Sequence, residues 1–128
     1  MNSYTLNGES VYLKRAIIVH GGAWRIPKDL EGPCLEGVER AAKVAMNRLL
    51  GDNSALDAVE VAVKCMEDNP AFDAGVGSVL NEEGEIELDA AIMDGKTLNA
   101  GAIAAVRNIR NPISLARRVM ENSNHVFL

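Results

Sequence analysis

One stretch of the chain, residues 54–77, reads SALDAVEVAVKCMEDNPAFDAGVG and predicts a helix that runs directly into a tight loop. Ser54, followed three residues later by Asp57, has the spacing of a capping box with Asp in place of the usual Glu, so we expect the helix to begin there. Apolar residues then share one face until Pro70, which cannot continue a helix. Two glycines near the end of the stretch suit a curved loop path.

Upstream of this stretch, the pattern predicts a strand and a helix. Residues 16–20 form a short β-branched run, and the pair Gly21 and Gly22 ends it, which is typical of a buried strand entering a tight loop. From residue 35 to residue 50, apolar residues recur at helical spacing, and Gly51 suits the cap that follows a helix. We therefore expect a strand, a glycine loop and a helix in that order.

Downstream, residues 77–93 alternate between apolar and acidic side chains around a turn at Glu83 and Gly84, which predicts a hairpin of two antiparallel strands. A second turn is expected at Asp94 and Gly95. Residues 100–106 are tiny or β-branched and would allow a helix to lie close against a strand.

The last third of the chain predicts a helix and a final strand. Asn111 is a good N-cap, and Pro112 suits the first helical position of a helix that extends to about Glu121. Residues 125–128 are apolar and strand-like. The order β-α-α-β-β-β-α-β lacks regular βαβ alternation and internal repeats, so we predict an α+β fold.

Composition narrows the function. With 128 residues and a formal net charge of −5, the chain has room for one core and no evident attraction to nucleic acid or anionic membrane. It contains no apolar run of signal-peptide or membrane-span length, so we expect a cytoplasmic protein. Its two cysteines, Cys34 and Cys65, have neither zinc-site nor disulfide-framework spacing and are expected to be buried free thiols.

Side chains alone do not assemble a complete active site. His20 is interpreted as structural, and neither threonine, Thr5 or Thr97, lies beside a histidine or carboxylate in a nucleophile arrangement. Two charged groups are interpreted as solvated surface: the carboxylates Glu82, Glu83, Glu85, Glu87 and Asp89, and the arginines Arg107, Arg110, Arg117 and Arg118.

Five ordered motifs carry a family resemblance. They are IVHGGA at 18–23, SALDAVE at 54–60, EDNPAFDAGVGSVL at 67–80, ELDAAIMDG at 87–95 and NPISLAR at 111–117. Together they resemble the α-subunit half of the plant-type L-asparaginase and isoaspartyl peptidase family, and less closely the taspase proteases. The resemblance covers residues 16–128 and leaves residues 1–15 as an N-terminal extension.

The resemblance implies part of a four-layer αββα sandwich, the N-terminal-nucleophile hydrolase fold, incomplete without a β subunit. In that family one precursor cleaves itself before a threonine, whose hydroxyl attacks the substrate amide while its free amino group acts as base. This chain would then contain no catalytic nucleophile. Its expected partners are a β subunit that begins with threonine, a second αβ unit and a small-molecule substrate.

Three residues of an active-site wall carry over from the resemblance. Gly21 and Gly22 match the family's glycine loop, whose peptide orientation acts as a switch for autocleavage and catalysis. Asp73 replaces an Asn that lies close to the nucleophile, where an acid would alter the pKa of the threonine amino group or hydrogen-bond as Asn does. Trp24 stands where small residues often follow the glycine loop.

The resemblance also implies a structural sodium ion. Residues 66–76 match the family's sodium-binding loop, with the ion held by backbone carbonyls of Met66, Glu67, Asn69, Phe72, Ala74 and Val76. Carbonyls without several carboxylates suit a monovalent ion better than calcium.

The implied function is the α-side portion of a hydrolase that cleaves L-asparagine and β-aspartyl dipeptides. Three alternatives stay open. One is a taspase-like protease. Another is a glycosylasparaginase, which the lack of a secretion signal and of disulfide cysteines disfavours. The third is a non-catalytic, truncated relative that acts as an interaction protein through exposed apolar faces.

Overall fold

The computed structural model describes residues 3–6, 9–12, 15–51 and 53–128 and has an α+β fold, as predicted. Its elements in chain order are β1 (Ser3–Leu6), β2 (Glu9–Tyr12), α1 (Lys28–Leu50), α2 (Ala55–Glu67), β3 (Leu88–Met93), β4 (Ala100–Val106) and α3 (Pro112–Asn122). Within the predicted N-terminal extension, β1 and β2 pair antiparallel with Ser3 opposite Tyr12. No described helix is long and apolar enough to cross a membrane.

The prediction that residues 16–20 form a paired strand is wrong. The segment has no strand assignment, and β3 with β4 forms the only sheet among residues 15–51 and 53–128. Ile17 and Val19 pack against the first core, whereas Ile18 between them is 95% exposed. The alternation of a strand is present, but a strand also needs a neighbour to accept its hydrogen bonds.

Helices α1 and α2 pack on each other through small side chains. The first core consists of the buried residues Ala41, Ala45, Leu49, Ala58 and Ala62. Helix α1 begins at Lys28, seven residues before the predicted start at residue 35, and includes Pro33. The capping box of α2 is confirmed, because Ser54 Oγ accepts the N–H of Asp57 at 3.1 Å and Asp57 Oδ2 accepts the N–H of Ser54 at 3.0 Å.

The hairpin predicted at residues 77–93 is half wrong. Its turn exists, with the N–H of Asn81 donating to the carbonyl of Glu85 at 2.9 Å, but the first arm is not a strand. The N–H of Val79 in that arm donates to the Asp73 carboxylate at 3.0 Å, which ties the arm to the loop after α2. β3 pairs instead with β4 across the predicted turn at Asp94.

A β-bulge interrupts the β3–β4 ladder. Leu88 pairs with Val106 and Ala90 pairs with Ile103, so one residue of β3 faces two residues of β4. Ala105 lies in the bulge with φ of 53°, and its N–H donates to Asp89 Oδ1 at 2.8 Å. The side chain of Asp89 thereby replaces the hydrogen bond that the bulge removes from the ladder.

Helix α3 covers one face of this sheet, and the second core lies between them. Its buried residues are Ile92, Ile103, Ile113, Ala116 and Val119. As predicted, β4 allows close approach, because a Cβ on Gly101 would lie 2.5 Å from the Met120 nitrogen. The final strand is confirmed only in part: Phe127 alone forms a bridge, parallel to Ala102 of β4. Both cysteines are free thiols; Cys34 is buried and Cys65 is partly buried.

Arg117 joins α3 to α2 and is not the solvated residue that we predicted. Its guanidinium donates to Asp57 Oδ1 and to Glu60 Oε2, both at 2.7 Å, and its side chain is 19% exposed. It also bonds Glu121 on its own helix. The hydrogen bond from Arg117 is the largest of the effects that hold the pKa of Asp57 at about 2, below its ordinary 3.8.

Replacing Arg117 with Met, which keeps the aliphatic stem, should destabilise the fold by about 1–3 kcal/mol near neutral pH, because Asp57 and Glu60 lose their shared cation. A carboxylate with a lowered folded-state pKa stabilises above its unfolded pKa and loses that effect as pH falls. The difference between wild type and R117M should therefore shrink as pH falls from about 5 to about 2, measured by thermal unfolding.

Lys43→Met is the matched control, because Lys43 pairs with Glu39 on the surface of α1 with side chains 71% and 61% exposed. We expect it to cost no more than about 0.5 kcal/mol. Equal destabilisation by the two variants would show that the bonds from Arg117 to Asp57 and Glu60 are no more stabilising than an exposed ion pair.

Candidate functional site

The loop after α2 is fixed at its start by Glu67, whose side chain caps α3. Glu67 is 2% exposed, and its carboxylate accepts the N–H of Ile113 at 3.0 Å and the Nδ2–H of Asn111 at 3.1 Å. Burial raises the pKa of Glu67 above its ordinary value. Asn111, predicted as the N-cap, makes no side-chain cap, so a carboxylate from another helix satisfies the first turn of α3.

Asn111 and Asp68 extend this junction. Nδ2 of Asn111 also donates to Asp68 Oδ1 at 3.3 Å, and Arg110 Nε donates to the same oxygen at 3.0 Å. The bond from Arg110 is the largest of the effects that lower the pKa of Asp68. The end of α2 and the start of α3 are therefore joined by a continuous polar network.

The loop is wound so tightly that its carbonyls face backbone across it. Gly75 has φ of 56°, and a Cβ there would overlap the carbonyl oxygen of Glu67. A Cβ on Gly77 would overlap the carbonyl oxygen of Phe72 in the same way. Residue 75 must therefore be glycine, because any other side chain would be strained by the positive φ and would overlap the Glu67 carbonyl.

The predicted sodium ligands Met66, Glu67, Asn69, Phe72, Ala74 and Val76 all lie on this loop or at its start. Three of their carbonyls accept loop N–H groups: Met66 from Asn69, Asn69 from Phe72, and Ala74 from Gly77. A carbonyl has two lone pairs, so such a bond leaves one for an ion. The described residues contain no cluster of three or more His, Cys, Asp or Glu able to hold a metal, so a cation here would depend on carbonyls.

The ring of Phe72 connects the loop to the glycine loop. Phe72 is 4% exposed. A Cβ added to Gly21 would lie 2.9 Å from the ring, and a Cβ added to Gly37 of α1 would lie 2.5 Å from it. Real Cβ atoms do not approach so closely, so the ring fits only because both positions lack one. Cys34 adds a second link by donating its thiol to the carbonyl of Ala71 at 3.3 Å.

Gly22 holds an unusual backbone conformation with φ of 101°. Its N–H donates to Nδ1 of His20 at 3.2 Å. His20, predicted to be structural, therefore holds the orientation of the Gly22 peptide as a hydrogen-bond acceptor.

A cavity of about 380 Å³ brings the predicted active-site wall together. Gly21, Gly22 and Asp73, which are some fifty residues apart in the chain, all line it. The complete lining is His20, Gly21, Gly22, Ala23, Trp24, Val63, Met66, Phe72, Asp73 and Ala74. The cavity therefore has mainly apolar walls, one carboxylate and an imidazole.

Asp73 is exposed, and its Oδ1 accepts the N–H of Val79 at 3.0 Å. This bond needs only an acceptor oxygen, which an Asn side chain would also supply. The carboxylate therefore provides the same hydrogen bond as Asn together with a negative charge at the cavity wall.

A larger cavity of about 730 Å³ lies between the turn at Gly84 and residues 107–110; Gly75 and Val76 border it, but Gly21, Gly22 and Asp73 do not. Its side includes Arg107, which pairs with Glu85 and bonds Glu87 at 2.5 Å. These carboxylates, predicted to be simply solvated, are exposed but paired. Because Gly21, Gly22 and Asp73 all line the smaller cavity, it is the better candidate for chemistry.

Gly75 offers a test that separates steric overlap from backbone strain. Gly75→Ala should destabilise the fold by about 3 kcal/mol or more, because the new Cβ meets the Glu67 carbonyl in addition to the strain of positive φ. Thermal or denaturant unfolding measures the loss.

Gly84→Ala is the matched control, since Gly84 also has positive φ, 77°, and a Cβ there has nothing within 4 Å. It should cost only about 1–2 kcal/mol. Similar losses at the two positions would mean that the tight winding of the loop is unimportant.

Comparison with known proteins gives relatives over most of the chain. The plant-type L-asparaginase of Thermococcus kodakarensis is 59% identical over 114 residues, which are 88% of this chain and 37% of that protein. The isoaspartyl peptidase/L-asparaginase of Xenopus laevis is 53% identical over 116 residues, 91% of this chain and 38% of that protein. The Bos taurus protein of the same description is 56% identical over 113 residues, with 88% and 37% covered.

The chain thus spans little more than a third of the length of these relatives. A sequence model of the family described as asparaginase matches residues 13–128. The match includes the glycine loop, the loop after α2 and the helix α3 that Glu67 caps. It confirms the resemblance carried by the five motifs, and the chain belongs to the asparaginase family.

Proposed function

We propose that this chain is the α-side portion of a hydrolase that cleaves L-asparagine and β-aspartyl dipeptides. The observation that carries the proposal is the single cavity lined by Gly21, Gly22 and Asp73, the three residues expected to face the nucleophile. The similar proteins named L-asparaginase and isoaspartyl peptidase/L-asparaginase support the substrate class.

The nucleophile is a threonine at the start of a separate β chain, produced by self-cleavage of one precursor. Its hydroxyl attacks the side-chain amide carbon while its own amino group takes the proton. That proton passes to the departing ammonia or amine as the C–N bond breaks, and water then hydrolyses the acyl-enzyme to release the aspartyl acid and restore the threonine. This chain contributes the wall: the glycine loop, held by the hydrogen bond from Gly22 to His20, and Asp73, held by Val79.

The β chain completes a four-layer αββα sandwich. Three features support a missing neighbour. Residues 16–20 alternate in exposure but have no strand assignment, and Ile18 among them is 95% exposed. Phe127 beside β4 is 62% exposed. Apolar surface of this kind is stabilised when a partner covers it. Two such αβ units form the complete enzyme.

A sodium ion braces the loop of residues 66–76. The proposal is supported by the tight winding at Gly75 and Gly77, which brings the backbone close to the carbonyl oxygens of Glu67 and Phe72 across the loop. The end of helix α2 adds the negative end of its dipole. Met66, Glu67, Asn69, Phe72, Ala74 and Val76 would supply carbonyl oxygens, and the ion would stiffen the base of the cavity wall.

The 128-residue chain alone, purified free of host hydrolases, should hydrolyse neither L-asparagine nor β-Asp-Leu, because the mechanism needs a threonine with a free amino group. Co-expression with a β chain that begins with threonine should produce activity, measured as released ammonia or leucine. Hydrolysis by the chain alone would overturn the assignment of roles. An inactive assembled protein would instead favour the interaction-protein alternative.

Asp73→Asn in the assembled enzyme should shift the acid limb of the kcat/KM profile to lower pH by roughly half a unit or more. A nearby negative charge favours the protonated amino group of the threonine and so raises its pKa; removing the charge lowers that pKa, and the free-base form persists to lower pH. The substitution keeps the acceptor for Val79, so the fold should be retained.

The matched control is Glu82→Gln, which removes an exposed carboxylate from the turn at residues 81–85 and should leave the profile unchanged. An unchanged profile for D73N would mean that Asp73 does not face the nucleophile.

A further inference from the structure

Trp24 is the large side chain of the cavity that the proposed reaction does not use. Its indole lines the cavity together with the glycine loop and Asp73, and it is 49% exposed. The Cδ1 atom would lie 3.8 Å from a Cβ on Gly22, which is ordinary contact distance. An aromatic ring half in the cavity and half in solvent therefore borders the opening beside the glycine loop.

The chemistry of the cavity favours an apolar group near this ring. Val63, Met66 and Phe72 supply apolar walls, and Asp73 supplies a negative charge. The lining residues of this chain offer no lysine or arginine to a carboxylate, whereas its apolar walls suit a hydrocarbon side chain.

The two proposed substrates differ only in the leaving group. Hydrolysis breaks the C–N bond of the side-chain amide and adds water across it, so the aspartyl product gains the hydroxyl and the departing amine gains the proton. Asparagine releases ammonia, whereas a β-Asp-X dipeptide releases the amino acid X. The acyl half is the same in both, so, among binding contacts, those to X are the ones that can favour one substrate over the other.

On the basis of the proposed function, we propose that Trp24 is a specificity-determining residue that contacts the side chain of X. The enzyme thereby favours β-aspartyl dipeptides with an apolar second residue over asparagine. The indole offers that side chain a large rigid surface, and ammonia gains nothing from it. The carboxylate of X lies toward solvent, away from Asp73.

The test compares β-Asp-Leu, β-Asp-Gly and L-asparagine with the assembled enzyme and its W24A and W24F variants. Wild type should prefer β-Asp-Leu to β-Asp-Gly. W24A should lower kcat/KM for β-Asp-Leu by about tenfold, mainly through KM, and change the values for β-Asp-Gly and L-asparagine by less than about twofold. W24F, which keeps an aromatic wall, should retain most of the preference.

Binding gives a second readout that does not require turnover. Leucine, the product, should change the fluorescence of the enzyme when Trp24 is present and not in W24F, whereas glycine should change neither. Comparing the two proteins removes the signal of any tryptophan outside this chain.

Three results would overturn the inference. They are equal loss on all three substrates in W24A, as expected of a purely structural residue, no change in W24A, and equal kcat/KM of the wild type for β-Asp-Leu and β-Asp-Gly. The wild-type comparison of β-Asp-Leu with β-Asp-Gly tests the inference even if W24A does not fold. A wild type that hydrolyses none of the three would overturn the proposed function as well, which separates the two failures.

Discussion

The buried carboxylate of Glu67 is the interaction on which the rest of the structure depends. It lies at the last residue of α2 and accepts the first free N–H of α3 from Ile113, so one side chain fixes the end of one helix against the start of another. Its backbone carbonyl is the group that Gly75 approaches. The same residue therefore sets the helix packing and the path of the loop, and burial makes any loss of its partners costly.

Close packing around Phe72 fixes the cavity residues relative to Glu67 and the two helices. The Phe72 ring lies against two glycines, one on α1 and one in the glycine loop, so three separate segments share a single fixed contact. A scaffold of this kind can hold the irregular segment 68–74, which lies between the end of α2 and a short 3-10 turn at Gly75–Gly77. The cavity wall is thus formed by the glycine loop and mainly apolar side chains, and the proposed nucleophile and base come from the β chain.

Local signals were predictable from sequence, and pairing was not. The capping box at Ser54, the proline that opens α3 and the alternation of residues 16–20 are properties of a few neighbouring residues. Whether residues 16–20 or 77–81 pair with a strand depends on segments that are far away in the sequence. Both predictions of pairing were wrong. The cap on α3 was missed because Glu67 and Ile113 are 46 positions apart. The tight loop at Gly21 and Gly22 was predictable from its residues, whereas its active-site role and that of Asp73 came from the family resemblance alone. Their shared cavity could be seen only after folding.

The bulge at Ala105 has a consequence for slippage of the hairpin. β4 contains four alanines and a glycine besides Ile103 and Val106, and its small side chains would by themselves tolerate sliding along β3 by a residue. The extra residue turns Val106 back toward the second core and leaves Arg107 on the outer side beside Glu85 and Glu87. Any shifted alignment would expose Val106, separate Arg107 from both acids and leave the N–H of Ala105 without Asp89. A strand made mostly of alanine and glycine thus has one alignment that satisfies Val106, Arg107 and Ala105 together.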